Sequence, residues 1–364
     1  MINNGEFVNI INRHKDAYMW ESEHIPLGVW INDVKKHNKI SYNSTEFYKD
    51  LFDRQMEIVN DTVLFGSELV PVLGITNYGI AIVPSLFGAK ITASSNDVDA
   101  VEEMGYWVHR IFDKIEDVEK YKLHFIESEL FEKVCRHIEY YRDNAPKNYY
   151  ISDSLDGPFS IAELLRGSAI YLDMYDKPHY VHKLMGLCTD MIIKCEDVLK
   201  TVAGYEKYNG DFPSYYGIWL PGLRLGDDSI LNLSKDMIEE FVLPYYEKIA
   251  LHFNCKLTVH FCTVGKPLGE QIIEAFIKPN YISGISTQLG TDLYEKYHDR
   301  IRNRLFIEAG YGDAFAYSIN KHGSLRQFFN HIKNNISGSK GLILYTTAGS
   351  EKEAYNILKT WNEV

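Results

Sequence analysis

Seven short apolar runs punctuate this chain, at residues 69–73, 149–151, 216–219, 257–261, 281–285, 304–307 and 341–345. They carry β-branched or aromatic residues and give way to Gly, Asp or Pro, as strands entering turns do. Long amphipathic stretches separate them, at 161–172, 179–198, 235–253, 266–276, 292–302, 324–335 and 350–361. This alternation constrains the fold more than any other feature. A strand that returns in the same direction needs a crossover, usually a helix, so the pattern dictates a parallel sheet. Seven or eight such units in about 300 residues suit a closed (β/α)8 barrel better than an open, doubly wound sheet. No Gly-x-Gly-x-x-Gly follows the first strand and no Gly-Lys-Ser/Thr occurs, which removes the usual nucleotide cradles.

Residues 1–64 read differently. The stretch 44–59 begins at Ser44-Thr45 and places apolar residues at three-to-four spacing, as an N-capped amphipathic helix does. We therefore expect helical decoration over 1–64 and the barrel over 65–364. No repeat or Pro/Ser-rich linker divides them, so the two form one structural unit.

Composition bounds the partners. With 45% hydrophobic and 24% charged residues, 364 residues support a large soluble core. No apolar run approaches the roughly 18 residues needed to span a bilayer, and the first residues lack the basic-then-apolar pattern of a secretory signal. A formal charge of -12 argues against nucleic acid or an anionic membrane as partner. The five cysteines (135, 188, 195, 255 and 262) are scattered and odd in number, which suits the reducing cytoplasm. Nothing fixes the oligomeric state, and a homodimer is the commonest assembly.

In a (β/α)8 barrel the chemistry gathers at the C-terminal ends of the strands. Those ends offer Thr76-Asn77-Tyr78, Asp153 and Asp156, Trp219, His260 and Cys262, Ser286-Thr-Gln288, Glu308, and Thr346-Thr347. His260 and Cys262 are the most informative. Strand alternation puts both on one side, where an imidazole and a thiol can fill two corners of a tetrahedral zinc. The plainer reading is a small buried hydrophobe beside a His bonded to a carbonyl. Asp156-Gly157-Pro158 likewise reads as a turn as well as a site.

Several segments resemble the uroporphyrinogen decarboxylase superfamily: Asp153-Ser-Leu-Asp-Gly-Pro-Phe-Ser-Ile-Ala162, Leu164-Leu-Arg-Gly167, Leu225-Gly-Asp-Asp-Ser229 and Phe241-Val-Leu-Pro-Tyr-Tyr246, with the His260-x-Cys262 strand after them. The resemblance runs through residues 65–362 and implies a distorted barrel with a deep cleft at its C-terminal face. True uroporphyrinogen decarboxylases carry an Arg-rich N-terminal loop that clamps substrate carboxylates. Here residues 1–70 hold only Arg13 and Arg54. The chain is more similar to the corrinoid-dependent (methylcobamide:coenzyme M type) methyltransferases. For that branch the resemblance implies zinc on His260 and Cys262, a thiol held as thiolate, and a corrinoid on a partner protein. Its further zinc cysteine belongs in Leu344-Tyr-Thr-Thr-Ala-Gly-Ser350, which has none. Glu308 is the best substitute ligand or a general acid/base, with Asp153, Asp156 and His322 weaker candidates as ligands.

On this reading Asp153 and Asp156 orient the small-molecule substrate or donate a proton, and Tyr78, Tyr150, Tyr216 and Trp219 line the pocket. Two alternatives stay open. One is a decarboxylase of a smaller carboxylic substrate, and the other is a barrel that binds without catalysing.

Overall fold

The computed structural model describes residues 4–32, 39–75, 78–98, 105–125, 128–205, 211–214, 216–263, 268–310, 314–335 and 340–364. Its early strands are β1 (Leu27–Ile31), β2 (Val72–Ile75), β3 (Ile91–Ala93), β4 (Tyr106–Val108), β5 (Tyr150–Asp153) and β6 (Leu155–Asp156). The later ones are β7 (Asp211–Pro213), β8 (Trp219–Pro221), β9 (Leu223–Gly226), β10 (Leu257–Phe261), β11 (Ile282–Thr287), β12 (Phe306–Gly310) and β13 (Leu342–Ala348).

Seven strands form one sheet in the order β1-β13-β12-β11-β10-β9-β6, and every pairing in it is parallel. Helices connect its later strands, so the α/β architecture expected from the alternation is present. Strands such as β12 and β13 are buried along nearly their whole length and read as continuous apolar runs, as a sheet covered on both faces requires. Among the described residues no helix is long and apolar enough to cross a membrane.

The ring itself is not closed by backbone hydrogen bonds among the described residues. β2 pairs only with β5, as a separate parallel pair. β5 and β6 are one path broken at Ser154, so this path joins β2 on one side to β9 on the other. The gap falls between β1 and β2, for a physical reason. The N–H groups on the free edge of β1 already donate to side chains: Leu27 to Glu68 Oε2 at 2.9 Å, Val29 to Ser67 Oγ at 2.6 Å and Ile31 to Thr62 Oγ1 at 3.0 Å. Three side chains do there what a neighbouring strand would do.

Other details depart from the periodicity. The segment expected to be helical decoration holds the helices Asn4–Tyr18 and Phe47–Leu64 but also β1, a strand of the main sheet. The run at 216–219 ends in β8, which pairs antiparallel with β7, and the sheet strand is the next one, β9. The helix expected over 161–172 is two, Pro158–Arg166 and Ile170–Asp176. They part at Gly167, whose φ of +82° ends the first. The helix over 235–253 divides into Lys235–Phe241 and Leu243–Phe253, with Pro244 in the first turn of the second.

Candidate active site

Register in the parallel sheet aligns one row of residues near the strand ends. Asp156 of β6 pairs with Gly226 of β9, Gly226 with His260 of β10, His260 with Ser286 of β11, and Ser286 with Glu308 of β12. Paired residues of parallel strands point to the same face, so Asp156, His260, Ser286 and Glu308 share one side of the sheet. The glycine at 226 leaves room beside Asp156: a Cβ there would lie 3.2 Å from Asp156 Oδ1.

His260 and Cys262 touch. His260 Nε2 lies 3.1 Å from Cys262 Sγ, and Nδ1 lies 2.9 Å from Ser286 Oγ. Each ring nitrogen thus faces a group, hydroxyl or thiol, that can donate or accept, so either neutral tautomer satisfies both contacts. Burial, with help from the Arg224 charge, holds His260 well below its usual range, so the ring is neutral. Cys262 reaches solvent as a residue. Partial burial of its thiol, and then the Asp228 carboxylate, push that thiol up to about 12, so it too is neutral. Asp228 Oδ1 also accepts from the Cys262 N–H at 2.7 Å and fixes the turn after β10.

The carboxylates divide into a structural one and two poised ones. Asp227 is fully buried and caps the helix Pro158–Arg166. It accepts from Ser160 N at 2.7 Å and from Tyr246 OH at 2.8 Å. Gly157 makes room for it, since a Cβ there would meet Asp227 Oδ2 at 2.3 Å. Asp156 has no such support. Its Oδ2 is shut away from water without a hydrogen-bond partner among the described residues. Burial, with Asp227 and Asp228 nearby, pushes its carboxyl up to about 8. Glu308 is fully buried and neither of its oxygens finds a hydrogen bond among the described residues. Burial raises it, and Arg224, with Nε 3.9 Å from Glu308 Oε2, opposes that rise. Arg224 is itself buried on β9 and donates to Ser154 Oγ at 3.5 Å.

The other expected site residues lie elsewhere. Asp153 sits in a buried ion cluster, with Lys200 Nζ 3.4 Å from its Oδ1 and 3.2 Å from Glu196 Oε1. Trp219 and Tyr150 pack edge to face at 5.3 Å, and the Trp219 backbone N–H donates to His14 Nδ1 at 3.0 Å. Trp219 precedes β9 and Tyr150 begins β5, so both lie at the opposite ends of their strands from His260. Tyr216 is the exception: it packs at a tilt on Tyr345, ring centroids 4.7 Å apart, and the Tyr345 hydroxyl senses the Glu308, Arg224 and Cys262 charges, so Tyr216 borders the row. Tyr78 packs against His137 at 5.8 Å, in a different cluster. His322 packs against His331 at 4.3 Å. Thr76 and Asn77 fall outside the described residues.

Two charged residues beside this row, Arg224 and Asp228, were not among the expected site residues. Both had a signal: Arg224 is a lone cation in an apolar strand, two residues before Gly226, and Asp228 follows the helix-capping Asp227.

The zinc expected on His260, Cys262 and Glu308 can be tested against this arrangement. Two ligands of a tetrahedral zinc stand ~3.5–3.6 Å apart, close to the separation of Nε2 and Sγ. A third donor does not join them. Among the described residues, no three His, Cys, Asp or Glu side chains converge closely enough to hold a metal ion. Glu308 lies two strands from His260 in the row and has Arg224 as its ion-pair neighbour at 3.9 Å. As arranged, the set does not fit a three-ligand zinc site.

The sequence matches no family model and no curated protein sequence. Among solved structures, a protein described as "methyltransferase from Methanosarcina mazei" superposes with a TM-score of 0.64 at 12% identity, covering 97% of this chain and 98% of that one. A vitamin-B12-independent methionine synthase assignment from Listeria monocytogenes superposes at 0.48 and 11% identity, over 100% and 95% of the two chains. That fit is too loose to carry an argument. At such identities a likeness speaks for architecture alone: along nearly its whole length, the chain has a fold similar to that of the Methanosarcina methyltransferase.

Proposed function

We propose that this chain is an enzyme of the methyltransferase type. It moves a methyl group between a corrinoid carried by a separate protein and a small thiol or similar acceptor. The reaction takes place at the ends of β6, β9, β10, β11 and β12, in the parallel α/β sheet. The observation that carries this reading is the neutral His260–Cys262 pair at 3.1 Å, set beside an Asp156 carboxyl poised near neutrality.

The chemistry follows from those groups. In the direction of thiol methylation, the carbon–cobalt bond of the methyl donor breaks and both its electrons stay on cobalt. The acceptor sulfur forms the new carbon–sulfur bond, and the thiol proton must leave. A thiol near pKa 8.5 is mostly protonated at neutral pH, so a base is needed. Asp156, titrating at about 8, is ionised in a minority of molecules at neutral pH, and in that carboxylate form it matches the acceptor thiol and takes the proton with little energetic mismatch. Its charge already reaches Cys262 across the row. His260, neutral and braced by Ser286, hydrogen-bonds the Cys262 thiol, and the His260–Cys262 pair together positions the acceptor sulfur. Arg224 offsets the negative charge of the Glu308 carboxylate and of an ionised Asp156. Zinc has no step in this scheme.

Trideuteromethyl cobalamin with a panel of small thiols tests the reading. The expected product is the deuterated thioether, formed only with enzyme and detected by mass spectrometry. Absence of thioether with every thiol at about 10 mM sinks it.

One observation favours a second reading. A largely protonated Asp156 beside a buried Arg224 also suits decarboxylation of a small carboxylic acid, with Arg224 holding the carboxylate and Asp156 protonating the carbanion left behind. That reading predicts release of CO2 without any methyl donor.

A further inference from the structure

One step nearer the strand ends, the same face of the sheet carries a second tier. Cys262 follows His260 by two residues and Gly310 follows Glu308 by two, so each points as its predecessor does. Gly310 pairs in turn with Tyr345 of β13, which puts the phenol on the face of the row. A Cβ at Gly310 would fall 2.2 Å from Tyr345 Cζ and 2.3 Å from its hydroxyl oxygen. The ring therefore leans across β12 with its hydroxyl over that glycine, and Tyr216 packs on it at 4.7 Å.

The hydroxyl is the unused group. Tyr345 is 5% exposed, and its O–H bonds to no described residue. It is nevertheless not one of the polar atoms sealed from water, which include both oxygens of Glu308 and Oδ2 of Asp156. It opens onto accessible space, as Cys262 does, and it senses the Cys262, Glu308 and Arg224 charges. A phenol O–H fixed by packing and left without a protein acceptor is a preorganised donor. The opposite side of the site is also open. At Gly226 a Cβ would meet only Asp156 Oδ1, at 3.2 Å. Strand order puts Asp156 and Gly226 on one side of the His260–Cys262 pair and Tyr345 on the other.

We infer that Tyr345 is a further catalytic residue, whose hydroxyl donates a hydrogen bond to the acceptor sulfur as that sulfur becomes a thiolate. The inference rests on the methyl-transfer reading and names the group that receives the charge. The S–H bond breaks, the proton passes to the Asp156 carboxylate, and the electron pair stays on sulfur, facing the Tyr345 O–H. A fixed donor bonds the charged sulfur more strongly than the neutral thiol, so it favours ionisation.

The test is a pH titration of mercaptoethanol bound to the full chain, with an NMR-active carbon label beside sulfur, because that carbon's shift follows ionisation of the thiol. Tyr345→Phe deletes only the hydroxyl and keeps the ring against Tyr216, whereas Gly310→Ala keeps the hydroxyl and drives the ring from its place. Asp156, Asp228, Glu308, Arg224, His260 and Cys262 remain in every protein, so the difference isolates the hydroxyl. In Tyr345→Phe the bound thiol is expected to ionise about 1–2 pH units higher than in wild type, a ~10–100-fold change in acidity, and Gly310→Ala shifts it the same way. Single-turnover methyl transfer falls ~10–100-fold in Tyr345→Phe, while its Kd for the neutral thiol changes less than ~3-fold. Tyr345→Phe alone decides the matter if Gly310→Ala does not fold. A bound thiol that ionises at the same pH in wild type and Tyr345→Phe overturns the inference and leaves the methyl-transfer reading standing. Wild type that binds no thiol at about 10 mM overturns both.

Discussion

Replacing Asp156 by Asn separates what this carboxyl does for the reaction from what it costs the fold. In the native chain it titrates at about 8 instead of the ordinary 3.8, because burial and two neighbouring aspartates disfavour its charge. An acid whose folded pKa is raised keeps its proton in the folded chain while the unfolded chain gives it up. Stability is therefore untouched below about pH 4, falls as pH rises toward 8, and is level above that. About four pH units at ~1.36 kcal/mol each set a ceiling of ~5 kcal/mol, and water entry and relaxation bring this to ~2–4 kcal/mol.

Asn keeps the shape and cannot ionise. Unfolding entropy of ~2.1 cal/mol/K per residue over 364 residues makes each kcal/mol worth ~1.3 °C. Asp156→Asn is therefore expected to melt ~3–5 °C above wild type at about pH 9 and within ~1 °C of it at about pH 4.5. Thermal unfolding followed by circular dichroism at the two pH values reads this directly. A variant that melts below wild type at the higher pH, or a difference that ignores pH, refutes the reasoning.

Three further outcomes follow from the packing. Gly157→Ala drives a Cβ to 2.3 Å from Asp227 Oδ2 and breaks that carboxylate's bonds to Ser160 and Tyr246. We expect a loss of ~3–5 kcal/mol in denaturant unfolding, and a loss below ~1 kcal/mol contradicts the capping role. Burial lowers His137 to about 3, so the unfolded chain takes its proton below pH 6.5 while the folded chain does not, and stability drops as pH falls from 6.5 toward 3. His137→Phe should remove ~2–3 kcal/mol of that loss at about pH 4.5, and an unchanged acid midpoint argues against it. Ser67→Ala removes the acceptor 2.6 Å from Val29 N on the free edge of β1. Amide exchange at Val29 should quicken ~5–30-fold while Ile31, held by Thr62, stays slow; equal exchange at both means the edge is protected some other way.

Much of this architecture was legible because burial imposes strong patterns. The run at 257–261 coincides with β10, and those at 281–285, 304–307 and 341–345 overlap the first residues of β11 to β13, where both faces of the sheet are covered and the apolar signal is continuous. β1 escaped notice because Leu27–Ile31 is short and contains Gly28, a residue that weakens a strand signal. That glycine is there for a tertiary reason, since a Cβ would meet the Leu69 side chain at 2.3 Å. The β7–β8 hairpin misled in the opposite way: local apolar character at 216–219 said strand but did not say which ladder it joins.

At the site, alternation correctly put His260 and Cys262 on one side, and the strand-end rule drew attention to Asp156 and Glu308. The same rule picked out Asp153, three residues earlier, yet Lys200 holds that carboxylate. Lys200 lies on a helix 47 residues further on, and no local pattern reveals such a pairing. Trp219 was taken for a strand end because β8 was taken for a sheet strand. Arg224 was overlooked because an Arg inside an apolar run looks like a flaw until its neighbours across the sheet are known.

The most direct test follows labelled methyl from methylcobalamin to a small thiol in single turnovers at about pH 8, comparing wild type, Cys262→Ser, Asp156→Asn and Cys255→Ser. Cys255 lies just before β10, away from the row, and serves as the control. The account predicts transfer by wild type and Cys255→Ser at similar rates, with Cys262→Ser and Asp156→Asn slower by ~10²-fold or more. Wild-type rates in both of the latter variants would contradict it.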